Sequence, residues 1–163
     1  MDLTVHIEKN KKLLNCRVAA LIVRDGKILL EDHGKGNGGD GFLFLIGGRI
    51  SYNTSTKESL RRELQEEVNV TDYKASLAIC YETFFTNAKN MTVHEFGYIY
   101  KVETDQPIPE SIVENGRTIH FKWVDVKDLK NKDVRPFFIK DIEQYLDGQI
   151  HHLIVNEADL TAE

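Results

Sequence analysis

The sequence lacks the features that mark membrane, secreted and nucleic-acid-binding proteins. It has no apolar run near the ~18 residues that a membrane-spanning helix needs, and residues 1–4 lack the basic and apolar regions of a signal peptide. The net charge of −5 argues against a nucleic-acid polymer as the main partner, because such partners require a basic surface. The only two cysteines, Cys16 and Cys80, lie in apolar settings that indicate reduced thiols. We therefore expect a cytoplasmic protein.

Proline is also scarce, and no internal repeat or low-complexity segment divides the chain. The sequence has 163 residues, of which 41% are hydrophobic and 29% are charged. These values are typical of one globular domain with a substantial core. We expect a single domain over residues 1–163.

The apolar runs and turns predict mostly strands, with few helices. An Asp-Gly turn within residues 24–27 separates apolar runs at 13–23 and 28–30, which is a strong β-hairpin signal. The glycine-rich segment 34–41 lacks the ending of a phosphate-binding loop and is followed by an apolar run, so it predicts a hairpin loop. Further strands are predicted at 3–7, 73–85, 91–102, 118–124 and 150–155, with a helical turn at 126–129 and a helix at 136–146. This order predicts an α/β (α+β) fold.

One helix is predicted directly after residue 55. Ser55 and Glu58 have the spacing of a capping box, in which Ser55 is the N-cap. Apolar residues then recur every four positions, at Leu60, Leu64 and Val68. This stripe predicts that the helix packs against a sheet.

The same helix concentrates acidic side chains. Glu63, Glu66 and Glu67 fall within roughly 100° of one helix face, where like charges repel. A hard divalent cation with oxygen ligands would offset the repulsion. The preceding pair Gly47-Gly48 allows close backbone approach, so the combination indicates metal-assisted chemistry on a phosphate. The alternative is a solvated surface helix with mixed charges.

The spacing of these residues resembles the signature of the Nudix hydrolases, G-x5-E-x7-R-E-U-x-E-E-x-G-U, where U is aliphatic. The matching positions are Gly48, Arg62, Glu63, Leu64, Glu66, Glu67 and Val70. Thr54 stands where the family has its first glutamate, and Asn69 replaces the final glycine. The resemblance implies a mixed β-sheet sandwiched between helices.

The resemblance also implies an activity and a set of roles. Nudix enzymes cleave a nucleoside diphosphate linked to another group, with Mg²⁺ or Mn²⁺ bound at the diphosphate. By matching positions, Glu63, Glu66 and Glu67 are expected to bind the metal together with the Gly48 carbonyl, and Glu63 is alternatively the general base. Arg62 is expected to orient the glutamates. Because the family glutamate that pairs with this arginine is replaced by Thr54, we expect a less rigid loop.

Many Nudix proteins use one further acid from outside the motif, and Glu95 is the candidate here. In a strand, Glu95 shares a face with Val93, Gly97 and Ile99, an unusual position for an unpaired charge. The alternative is an edge-strand carboxylate kept in water. His94 faces the opposite side and is expected to be structural.

Phosphate groups require cationic partners. Arg49 directly follows the glycine pair, and Arg17 lies in a strand that we expect to be central. We expect both, with Gly47 and Gly48, to bind substrate; the alternative for Arg17 is a surface position. The neighbouring pair of phenylalanines at 84–85 is expected to pack in the core rather than to stack on a base.

Three functions fit the sequence. The first is metal-dependent hydrolysis of a small nucleotide or nucleoside-diphosphate derivative. The second is a Nudix-like domain that senses a nucleotide without hydrolysing it. The third is isoprenoid isomerisation on the same fold, for which no cysteine–glutamate arrangement is evident. A homodimer is compatible with each.

Overall fold

The computed structural model describes residues 3–36 and 39–157. Within these ranges lie one α-helix, α1 (Thr56–Val68), and two 3-10 helices, Val126–Asn131 and Phe137–Tyr145. The strands are β1 (His6–Lys9), β2 (Lys12–Arg24), β3 (Lys27–Asp32), β4 (Lys35–Gly36), β5 (Gly39–Asp40), β6 (Leu43–Phe44), β7 (Ile46–Arg49), β8 (Lys74–Thr86), β9 (Thr92–Glu103), β10 (Ser111–Glu114), β11 (Arg117–Asp125), β12 (Val134–Arg135) and β13 (His151–Asn156).

A mixed sheet organises the molecule around β2. Its main order is β10-β11-β3-β2-β9-β8-β13, with β2 parallel to β9 and β13 parallel to β8. Strands β1 and β7 pair antiparallel with β2 along its other edge. The run from Val18 to Ile22 is buried, as expected for a central strand covered on both faces.

Both faces of the sheet are covered by apolar packing. Helix α1 contributes the predicted stripe, Leu60, Leu64 and Val68, to the cluster on one face. The two 3-10 helices contribute residues such as Leu129 and Phe138 to the cluster on the other face. The predicted sheet between helices is therefore confirmed.

The ends of α1 form as the sequence predicts. The Ser55 side chain accepts a hydrogen bond from the Glu58 backbone N–H, and the Glu58 carboxylate accepts one from the Ser55 backbone N–H. At the other end Asn69 adopts the left-handed conformation (φ 54°, ψ 33°). Asparagine tolerates this conformation better than most residues, so the missing family glycine does not disturb the helix end.

Several segment predictions hold, and others need correction. The Asp-Gly hairpin joins β2 to β3, and the strands predicted after α1 all form. The segment predicted as a helix at 136–146 is the 3-10 helix Phe137–Tyr145, interrupted by non-helical backbone at Asp141. The first strand is β1, later than the predicted 3–7, and β10 was not predicted. The loop 34–41 contains the short hairpin β4–β5, although Asn37 and Gly38 lie outside the described residues.

The aromatic side chains of β8 and β9 correct one further prediction. Phe84 is exposed rather than in the core, and its ring stacks on His94 at 4.3 Å between centroids. His94 faces away from the core, as expected, and contacts Glu82 through its ring nitrogen at 3.4 Å. Among the helices that the structure describes, none is both long and apolar enough to cross a membrane.

Candidate active site

The glycine pair and the acidic helix meet because β7 lies against β2. In this register Gly48 pairs with Val18 and Gly47 with Ala19. A Cβ on Gly47 would overlap the Val18 carbonyl oxygen, and a Cβ on Gly48 would overlap the Glu63 carboxylate. Position 47 therefore requires glycine, whereas a Cβ at position 48 would displace the Glu63 carboxylate from its place against the backbone.

Glu63 is the acid that occupies this space. Its side chain is nearly buried, at 6% exposure, and Oε1 accepts a hydrogen bond from Arg62 Nη2 at 2.6 Å. Burial raises the pKa of Glu63, while the charge of Arg62 opposes the rise. The sequence-predicted ligand is thus present as a buried carboxyl group held by one cation.

Glu67 lies beside a residue that the sequence analysis missed. Its Oε2 accepts a hydrogen bond from the Gly47 backbone N–H at 3.0 Å, and its carboxyl group is within hydrogen-bonding reach of Glu31. Burial, followed by the charge and hydrogen bond of Glu31, raises the pKa of Glu67 to about 10. A buried and a half-buried carboxyl group in contact favour a proton or a cation between them.

Glu66 occupies a different environment from the other two predicted ligands. Its side chain is 59% exposed, and Oε2 accepts a hydrogen bond from Arg62 Nη1 at 3.1 Å. Arg62 Nη2 also donates to the Arg49 carbonyl oxygen at 3.1 Å. Arg62 therefore joins Glu63, Glu66 and the glycine loop, and its orienting role stays a prediction.

Thr54 ties the loop in a different way from the family glutamate. Its hydroxyl group donates to the Ser51 carbonyl oxygen at 2.9 Å and lies 2.9 Å from the Ser59 hydroxyl group. Neutral hydrogen bonds therefore brace this loop where the family pattern has an ion pair. The expected loss of rigidity is opposed by these contacts.

Seven of the predicted site residues line one pocket of about 460 Å³. Its lining residues are Thr4, Gly47, Gly48, Arg49, Arg62, Glu63, Glu66, Glu67, Ile112, Val113 and Glu114. Strand β10, which was not predicted from the sequence, thus forms one wall. The pocket brings acids and arginines together, as binding of a metal and a phosphate requires.

The donor set fits a hard divalent cation. Carboxylate oxygens are the ligands that Mg²⁺ and Mn²⁺ prefer, and Glu31 Oε1 is a buried oxygen that no donor reaches within the described residues. The space at Gly48 also accommodates a carboxylate against the backbone. Across residues 3–36 and 39–157, no three His, Cys, Asp or Glu side chains form a group that could hold a metal ion.

Arg17, Arg49 and Glu95 belong to a neighbouring polar network. Glu95 is 9% exposed and accepts hydrogen bonds from Asn15 Nδ2 at 2.7 Å and from the Tyr81 hydroxyl group at 2.9 Å. Arg49 Nε donates to Asn15 Oδ1 at 2.9 Å, and Arg17 Nη2 donates to the Gly47 carbonyl oxygen at 3.2 Å. Glu95 lies on the predicted face of a central strand, so the edge-strand alternative is wrong.

Arg17 supplies the positive charge shared by both groups of acids. Burial alone would lower its pKa, yet the carboxylates around it, Glu95 foremost and then Glu31 and Glu67, raise the pKa overall. The half-buried guanidinium therefore lies between the glycine turn and the buried acids, and its surface alternative is wrong.

The family follows from a match that spans most of the chain. A family model described as the NUDIX domain matches residues 14–144. The chain belongs to the Nudix family. Membership of this family supports a pyrophosphohydrolase activity in general. No curated protein matches the sequence at a significant level.

Solved structures agree with this Nudix fold. The chain is similar to a MutT NUDIX hydrolase from Burkholderia pseudomallei, with a TM-score of 0.61, 21% identity, and coverage of 82% of this chain and 98% of that one. A MutT protein from Bacillus halodurans gives a TM-score of 0.66 at 11% identity, covering 88% and 92%. An ADP-ribose pyrophosphatase from Streptococcus suis gives 0.54 at 16% identity, covering 85% and 98%. At these identities the likeness concerns the fold.

Two site features of this Nudix protein escaped the sequence analysis. Glu31 could have been found, because it directly follows the apolar residues 28–30 and lies two residues after Leu29, hence on the same face. Leu29 belongs to the cluster that packs against α1. Strand β10 gave a weaker signal, since its four residues follow the proline-containing segment 107–109.

Proposed function

We propose that this protein is a Mg²⁺- or Mn²⁺-dependent hydrolase that cleaves the pyrophosphate bond of a nucleoside diphosphate linked to another group. Substrates of this class include nucleotides and nucleotide sugars. One observation carries the proposal: Glu63, Glu66, Glu67 and Gly48 line a single pocket together with Arg49 and Arg62. This combination of acids and cations suits a metal-bound diphosphate.

The residues of the pocket have distinct proposed roles. The three glutamates and the Gly48 carbonyl oxygen would hold the cation. The cation, when bound, supplies charge neutralisation at the diphosphate and lowers the pKa of the attacking water. Glu63 would alternatively accept the proton from that water.

The cationic residues would bind and position the substrate. Arg49 is the proposed phosphate ligand at the mouth of the glycine turn. Arg17, which already donates to the Gly47 carbonyl oxygen, would hold the turn and add positive potential beneath the phosphate. Arg62 would orient the glutamates, and Glu95 would act from outside the motif through Asn15 and Arg49.

A nucleotide panel tests the proposal directly. The protein is incubated with nucleoside triphosphates, nucleotide sugars, dinucleoside polyphosphates and ADP-ribose, each with Mg²⁺, with Mn²⁺ and with EDTA. We expect release of a nucleoside monophosphate from at least one compound in the presence of metal. ADP-ribose is included because one structural neighbour is named an ADP-ribose pyrophosphatase.

Two variants make the panel specific to the pocket. Glu66→Gln should lower the rate by about three orders of magnitude, since several kcal/mol of charge stabilisation are lost. Glu143→Gln removes an exposed acid from the second 3-10 helix and should behave as the wild type. Turnover that resists EDTA, or an active Glu66→Gln protein, would reject the proposal.

A nucleotide-sensing domain without turnover is the second candidate. It is favoured by the contacts of Arg62, which hold both Glu63 and Glu66 in the absence of the family glutamate at position 54. An arginine in this place competes with a cation for the same oxygens. Tight nucleotide binding with no product in any metal condition would support sensing.

The proposal also covers the setting of the protein. We propose a cytoplasmic enzyme that acts on small nucleotides, with neither a nucleic-acid polymer nor a membrane as partner, and with all of residues 1–163 in a single domain. A homodimer remains compatible with it. Light scattering on the purified protein measures the oligomeric state.

A further inference from the structure

Glu31 lies on the face of the sheet that carries the acidic helix. Strand β3 alternates, so that Ile28 and Leu30 join the cluster on one face and Leu29 joins the cluster around α1 on the other. Glu31 follows Leu29 by two residues and shares its side. The topology therefore directs an acidic side chain from β3 toward the glutamates of α1.

The surroundings of Glu31 leave its charge only partly compensated. The side chain is 5% exposed, and its Oε2 lies 3.0 Å from the His33 ring nitrogen. No donor reaches Oε1 within the described residues. A buried carboxylate oxygen without a donor is costly and uncommon in native proteins.

A second acid lies beside Glu31. The carboxyl group of Glu31 is within hydrogen-bonding reach of Glu67, whose Oε2 is already bonded to the Gly47 N–H. Two carboxyl groups in contact require a proton or a cation between them. A divalent cation with oxygen ligands satisfies several carboxylates at once.

We propose that Glu31 is an additional ligand of the cation site, contributed by β3 in addition to the three glutamates of α1. The inference rests on the proposed metal dependence of the enzyme. It extends the site beyond the signature helix to a second element of the fold. Helix and sheet would then be joined through the cation as well as through the apolar stripe.

Mn²⁺ alone, without nucleotide, is the probe. Binding to the wild type and to Glu31→Gln is measured from the paramagnetic resonance signal of free Mn²⁺, with Glu143→Gln as the surface control. We expect Glu31→Gln to weaken Mn²⁺ binding by about 10- to 100-fold and Glu143→Gln to leave it unchanged. Glu31→Asp keeps the charge but shortens the side chain, and it should give an intermediate loss.

A second measurement uses the metal-free protein. An amide at position 31 can donate to Glu67, so Glu31→Gln should raise the Tm in EDTA, whereas Glu143→Gln should not. This readout also shows that the Gln variant folds. If it does not fold, Glu31→Asp decides the Mn²⁺ comparison.

The failures of the two proposals are distinguishable. Mn²⁺ affinity that is unchanged in Glu31→Gln, or a wild-type protein that binds no Mn²⁺, would overturn the assignment of Glu31. The nucleotide panel, in contrast, is decided by wild-type turnover with metal. An enzyme active with metal whose Mn²⁺ affinity is indifferent to residue 31 would retain the proposed function and lose this ligand.

Discussion

The acids near Arg17 differ in how their charges are satisfied: Glu95 stands alone, whereas Glu31 and Glu67 lie in contact. Glu95 accepts hydrogen bonds from Asn15 and Tyr81, and Asn15 in turn accepts one from Arg49. In the other group, Glu31 has an oxygen that no described donor reaches and lies against the carboxyl group of Glu67. A fully hydrogen-bonded acid and an acid with an oxygen that lacks a donor therefore occur in neighbouring parts of the same sheet.

This difference separates structural from functional burial of charge. A fully hydrogen-bonded acid stabilises the fold and has little capacity for a new ligand. An acid beside another acid destabilises the metal-free protein and gains most from a cation. The Glu31–Glu67 contact is therefore the better candidate for a functional site that lowers the stability of the metal-free protein. Glu95 is the better candidate for a residue that positions other side chains.

The largest expected effect on activity comes from neutralising Glu67, the acid in contact with Glu31. Glu67→Gln should lower kcat/KM by on the order of 10³-fold, because several kcal/mol of metal-assisted stabilisation are lost. It should also raise the Tm in EDTA near pH 7, because the raised pKa of Glu67 makes folding take up a proton that a glutamine does not need. Hydrolysis within tenfold of the wild type, with Glu143→Gln as the control, would contradict this assignment.

Removing the hydrogen-bonded acid Glu95 should lower the stability of the metal-free protein rather than raise it. Glu95→Ala leaves the Asn15 amide and the Tyr81 hydroxyl group without their acceptor, at a cost of about 1–3 kcal/mol for each. Urea unfolding in EDTA measures this loss. Glu95→Gln keeps an acceptor in place and should cost less. If Glu95→Ala instead stabilises the metal-free protein, as we expect of Glu67→Gln, then Glu95 is not the better satisfied of the two acidic sites.

A substitution at Gly48 tests whether the space beside the backbone is needed to place the Glu63 carboxylate. A Cβ at Gly48 would overlap the Glu63 carboxylate, so Gly48→Ala should displace that side chain and lower kcat/KM by about 100-fold, as small misplacements of reacting groups do. Gly148→Ala is the control, since a Cβ there meets open space. It incurs backbone strain at φ +81° but should leave kcat/KM unchanged. Equal activity of the two variants would remove Gly48 from the site.

Local signals in the sequence predicted the parts of the site that depend on short spacing. The capping box, the stripe of α1 and the arc of Glu63, Glu66 and Glu67 are all encoded within fifteen residues, so helix geometry alone brings them together. Glu31 and Asn15 come from distant strands, and their contacts depend on the register of β2, β3 and β9. Pairing of this kind is non-local, and a single sequence does not specify it.

Thr54, which lies within the motif, is a second residue whose contacts the sequence alone does not predict. The missing glutamate predicted a loose loop, but the Thr54 hydroxyl group bonds to the Ser51 carbonyl oxygen and to the Ser59 hydroxyl group. The partner Ser59 lies on α1, one helical turn after the N-cap. The sequence alone does not show that Ser59 can bond to Thr54, because their contact depends on how the loop packs against the helix.

The smallest expected effect follows from this substitution. Thr54→Val keeps the shape of the side chain and removes two hydrogen bonds, so we expect a loss of about 1–2 kcal/mol in the free energy of unfolding. Thr118→Val, at an exposed position on β11, should change stability by less than about 0.5 kcal/mol. Because Arg62 still donates to the Arg49 carbonyl oxygen, Thr54→Val should lower kcat/KM by less than Gly48→Ala does. A larger loss of activity from Thr54→Val would mean that the hydroxyl contacts, rather than the space at Gly48, set the geometry of the glycine turn.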